Sequence, residues 1–144
     1  MNKMFAGVKV GKKNVLFGIG LFILLGFGFG IPLTINFFGG SVLTQDQYQT
    51  WKVVHGYGIF LSFINYFFGL IIDRLSLTDR QKELSSWSFL IAAGFGGILR
   101  MILVMFSALS AYGLYASLGE TVFIILGTLI FVMGQSQKLI AKAS

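Results

Sequence analysis

The run WKVVHGYGIFLSFINYFFGLIID at residues 51–73 carries no charge between Lys52 and Asp73. A helix of about 20 apolar residues spans the roughly 30 Å hydrocarbon core of a bilayer, so this run is long enough to cross one. Residues 14–38, 84–109 and 120–135 have the same character. A chain of 144 residues with four such runs has too little polar sequence to cover them in water. The composition, 56% hydrophobic against 11% charged, therefore describes a protein whose solvent is lipid. Four helices joined by short connections predict an all-α, polytopic membrane protein, a single up-down-up-down bundle over residues 1–144.

The basic residues set its orientation. Lys3, Lys9, Lys12 and Lys13 lie in the first arm, Arg74, Arg80 and Lys82 in the middle turn, and Lys138 and Lys142 in the tail. The connections at 41–50 and 110–119 have no Lys or Arg, and Lys52 stands alone at their end of the bundle. Short basic flanks stay on the cytoplasmic side, which predicts both termini inside. The net charge of +6 is thus topological, and no nucleic-acid partner is expected. The expected home is the plasma membrane of a prokaryote. Expected partners are membrane lipids and either further copies of the chain or a larger membrane complex. The first run is too long for a signal peptide and lacks a small-x-small cleavage site. The absence of cysteine excludes disulfides, thiolate metal sites and thiol catalysis.

Inside such runs each polar side chain needs a partner or a task. His55, the one histidine, begins a seam with Ser62 and Tyr66 at spacings of seven and four, and Asn65 lies beside it. Arg100 falls in the outer half of the third run, and Asn36 and Glu120 flank the same level. The expectation is one polar layer in the outer half and nothing comparable in the inner half. Arginine near a helix centre costs about 2.5–3.5 kcal/mol, so Arg100 must be paired. Its candidates are Glu120, a carbonyl, or an anionic ligand approaching over Gly96 and Gly97, and the ligand is the expected partner. Gly18, Gly20, Gly26, Gly28 and Gly30 admit a close backbone or a flat ligand, and Pro32 predicts a bend in the outer third. His55 is either an interhelical hydrogen-bond donor or one axial ligand to a haem iron. The sequence offers neither the ligands for zinc nor a hydrolytic triad around this histidine.

Three short matches resemble the styrene oxide isomerase family. They are Asn36-Phe-Phe-Gly39-Gly40 after the first helix, Trp51-x-x-x-His55 opening the second, and Leu75-x-Leu77-x-Asp79-Arg80 in the turn. The resemblance covers most of the chain. It implies a four-helix membrane protein binding haem b, with His55 as the axial metal ligand. Trp51, Asn65 and Arg100 are the further candidate cofactor-binding residues. That family opens epoxides with ferric haem as Lewis acid, assisted by an asparagine and a tyrosine. Ungapped pairing from His55 places Leu61 and Arg100 at those two positions, so the isomerase reaction is not expected. Two functions remain: a haem b-binding membrane protein, acting as a sensor, an electron-transfer partner or an enzyme (a haem-dependent isomerase of another substrate or an oxidoreductase), and a non-enzymatic accessory subunit. Transport has less in its favour, since no pair of broken helices marks an inverted repeat.

Overall fold

The computed structural model describes residues 9–143, and their side chains except Ser107, Ser110 and 135–143. Four helices long and apolar enough to cross a membrane make the fold: α1 (Lys12–Phe37), α2 (Gln45–Arg74), α3 (Asp79–Met105) and α4, whose apolar part is Gly113–Gly134 within a helix running to Ala143. No strand occurs among the described residues.

Three helices start earlier than hydropathy suggests, at Gln45, Asp79 and Gly113 rather than near 51, 84 and 120. Hydropathy marks the length that lies in hydrocarbon, whereas capping decides where a helix begins. Thr44-Gln-Asp-Gln47 and Thr78-Asp-Arg-Gln81 each form a capping box. In both, the threonine hydroxyl accepts from the glutamine N–H while the glutamine side chain accepts from the threonine N–H. The start of α1 is capped from elsewhere in the chain. The Asp73 carboxylate, in the last turn of α2, accepts from the N–H groups of Val10 and Gly11 at 3.0 and 2.9 Å. A negative charge is favourable at a helix N-terminus.

The other end of α1 closes as a Schellman motif. Gly39 turns to φ +92°, Gly39 N–H donates to Asn36 O, and Gly40 N–H donates to Ile35 O. Asn36 then clasps the following loop, accepting from the N–H groups of Val42 and Leu43 and donating to Leu43 O at 3.0 Å. Asn36, in the last turn of α1, therefore serves the loop and contributes nothing to a polar layer inside the bundle. Pro32 sits within a helical stretch that continues to Phe37, and the departure from α register lies ahead of it, in a π turn at Phe22–Phe27. A second π turn occupies Gly94–Leu99 of α3.

The pairing is antiparallel from each helix to the next. Gly18 lies on Ser62 and Tyr66, Leu25 on Gly58 and Phe29 on Trp51, which sets α1 against α2. Phe68 meets Phe89 at 4.3 Å between ring centres, joining α2 to α3. Gly127 and Gly119 of α4 lie on Phe89 and Phe95 of α3. Leu21, Leu25, Phe29, Val54, Leu61 and Ala93 form the main core. Only 17% of the apolar window of α4 is buried within the molecule, against 33–39% for the others, so α4 is the peripheral helix.

A polar network crosses the half of the bundle nearest the chain start, where none was expected. Asn14 is wholly buried; its Nδ2 donates to Asn65 Oδ1 at 3.0 Å and to Ser86 O at 3.1 Å, and its Oδ1 accepts from the Ser86 hydroxyl. Asn65 Nδ2 donates to Leu61 O and Phe89 O. Ser85 Oγ extends the layer by donating to Gly127 O of α4 at 2.9 Å. Interhelical hydrogen bonds in bilayers average about 0.6 kcal/mol and reach about 1.7. Asn14→Leu and Asn65→Leu should each lower the melting temperature in detergent, by about 1–2 kcal/mol of stability. The double variant should lose less than the sum, because the two side chains share a bond. Unchanged melting in both single variants would show that the network contributes nothing.

Candidate functional site

His55 lies on the side of α2 that faces α1, half-buried. Its Nδ1 is 3.0 Å from Leu25 O, a carbonyl inside the π turn of α1. A carbonyl only accepts, so in the neutral ring Nδ1 carries the proton and Nε2 keeps its lone pair. No hydrogen-bond partner is found for Nε2 among the described residues. The ring fits against α1 because residue 30 is glycine: a Cβ there would stand 2.8 Å from His55 Cε1. His55, Gly26 and Gly30 line a groove of about 690 Å³ between α1 and α2, open to the side of the bundle. At its mouth lie Tyr48 and Lys52, seven and three residues before His55. Trp51 fixes this corner: its ring packs on Phe29 with centroids 4.5 Å apart, against the main core.

The other expected site residues are elsewhere. Asn65 is ten positions from His55, about 15 Å along the helix, and is wholly buried in the Asn14 network. Its side-chain hydrogen bonds go to Asn14, Leu61 and Phe89, and it does not line the groove beside His55. Arg100 is also drawn away from that groove. Its Nη2 donates to Glu120 Oε2 at 2.8 Å and to Ser117 Oγ at 3.2 Å, and the guanidinium lies 4.2 Å from the Tyr57 ring centre. Tyr57 is two residues from His55, and side chains at that spacing do not share a helix face. The expected anionic ligand is thus replaced by Glu120. That residue lies two turns inside α4 because the helix begins at Gly113, and Gly96 makes room for it, since a Cβ there would meet its carboxyl. Arg100 Nε is buried without a partner, but a guanidinium already paired with a carboxylate has no net charge left for a second anion.

Leu61, in the position the resemblance assigns to a catalytic asparagine, is 1% exposed in the main core. Tyr48 and Lys52 were not singled out from the sequence as site residues, although their spacing to His55 is helical. Reading 41–50 as a loop hid Tyr48, and the T-x-x-Q cap at Thr44 is the signal that would have placed it on the helix, whereas Lys52 already lay in the run with His55. No known protein family, curated protein or solved structure matches the chain.

The ion pair has a clear signature. Arg100→Leu and Glu120→Gln should each destabilise the bundle by up to about 3 kcal/mol, because each leaves the other partner stranded. The double variant should recover much of that loss in detergent melting. Additive losses would mean that the two side chains act independently.

Proposed function

We propose that this chain is an integral membrane protein that binds haem b non-covalently, with His55 Nε2 as the one protein ligand to iron. The observation that carries this reading is the histidine's setting. Nδ1–H is held by the Leu25 carbonyl, Nε2 has no partner among the described residues, and the ring, seated on Gly30, borders an open groove. A hydrogen bond from the far ring nitrogen fixes the tautomer and orientation of a ligating histidine and raises its basicity. The Trp51-x-x-x-His55 resemblance to the styrene oxide isomerase family points the same way. A haem held by one histidine supplies an iron centre with a free coordination position, suited to binding or chemistry at that face.

The chain's own residues do the positioning. Leu25 O orients the imidazole, Gly30 sets how closely it approaches α1, and the Trp51–Phe29 contact holds α2 in register. Neither Leu61 nor Arg100 offers an acid or a neutral donor to this groove, so epoxide isomerisation lacks its assisting groups. A second reading has its own observation. α4 leaves most of its apolar surface uncovered, as a subunit docked in a larger assembly or a homo-oligomer would.

Absorption spectroscopy separates the two. Protein purified after expression with ample haem should show a Soret band, His55→Ala should abolish it, and Gly30→Val should reduce it sharply by pushing the ring off α1. A wild-type protein without the band would leave the accessory-subunit reading standing, and a band that survives His55→Ala would refute His55 as the ligand.

We further place both termini in the cytoplasm of a prokaryotic cell, on the distribution of Lys and Arg. The absence of native cysteine makes the test clean. In intact cells an impermeant maleimide should label Val42→Cys readily and Ser76→Cys only after permeabilisation. The reverse pattern would invert the topology.

A further inference from the structure

We infer that Lys52 holds a carboxylate of the bound group at the mouth of the groove, in the manner of a haem propionate. This rests on the reading of His55 as the haem ligand and assigns the other end of the same ligand.

Lys52 and His55 line one groove, and Lys52 lies three residues nearer the helix start, about 4.5 Å along the axis. Of the two cations at this end of the bundle among the described residues, Arg100 is neutralised by Glu120. Lys52 has no acidic partner there, its ammonium resting 5.0 Å from the centre of the Tyr48 ring. That ring also lines the groove, so the contact favours a lysine rotamer beside it. The groove is otherwise lined by Gly26 and by the apolar side chains of Phe27 and Ile31, while Gly30 receives the His55 ring. The groove therefore suits a flat apolar body with negative charge on one edge: hydrocarbon inside the membrane, carboxylate at its surface. An ammonium is a point charge that accepts a carboxylate from many directions, which tolerates an open mouth.

The probes are haem b and its dimethyl ester, which keeps the iron and the flat ring but has no carboxylate. The readout is the rate at which bound haem passes to excess apomyoglobin, with detergent melting as a check on folding. An exposed ion pair of this type is modest, so Lys52→Gln should release haem b about two- to fivefold faster than wild type. Lys52→Arg should restore slow release. The wild type should release the ester as fast as Lys52→Gln releases haem b, and Lys52→Gln should release both probes alike. Equal release of haem b by wild type and Lys52→Gln, with the Soret band intact, would overturn the role of Lys52 and leave His55 untouched. An ester held as tightly as haem b by wild type would overturn it too, because a lysine engaged with lipid phosphate instead would not distinguish them. A wild type with no Soret band would overturn the haem reading itself.

Discussion

Buried polar side chains must be paired, and in four helices long and apolar enough to cross a membrane that constraint arranges the bundle. Asn14 shows how. It sits in α1 with no exposure, and every polar atom of its side chain is taken by Asn65 of α2 or Ser86 of α3. Toward the other end, Arg100 of α3 is satisfied by Ser117 and Glu120 of α4 and covered by Tyr57 of α2. The two layers share α3, so sliding it by one residue would break both. Each bond is worth little on its own in a membrane, and what the layers supply is register.

Glycine supplies the closeness that such short bonds require. Gly58 takes the Leu25 side chain, Gly97 lies under Leu21 and Leu25, and Gly96 accepts the Glu120 carboxyl. Both π turns fall in this crowded level. Each adds a residue to one turn, shifting the side chains beyond it around the helix, and such turns are frequent at functional sites. In α1 the turn contains the carbonyl that holds His55; in α3 it ends immediately before Arg100.

The four spans were legible because apolar length is a property of sequence alone. Their ends were less so: Thr44 and Thr78 start helices in polar sequence, where hydropathy has nothing to report. The Asn36-Phe-Phe-Gly39-Gly40 motif is explained locally, as a Schellman end with an asparagine clasp. The need to pair Arg100 was legible as well, whereas the choice of Glu120 over a ligand depended on where α4 begins. Asn65 was misread because a helical seam gives direction but not depth. It shares a helix with His55 and belongs to another layer. The Asn14 network escaped notice because serines such as Ser85 and Ser86 are common in helices and carry no signal until a partner such as Asn14 faces them.

His55 differs from these residues in a way that bears on its role. Were it only a tie between α1 and α2, one hydrogen bond to Leu25 O would complete its task, and the smaller hydroxyl of a serine or threonine could supply a bond of that kind. The surroundings go further. A β-carbon is missing at residue 30, where the ring would strike it, the carbonyl partner lies in a π turn, and the second nitrogen is left with the groove beside it. That nitrogen is not buried, so it is open to whatever occupies the groove. On the reading proposed above, a metal ion carried by a flat ring would bind that nitrogen and lie in the groove, whereas the contact of the ring with α1 accounts for the missing β-carbon alone.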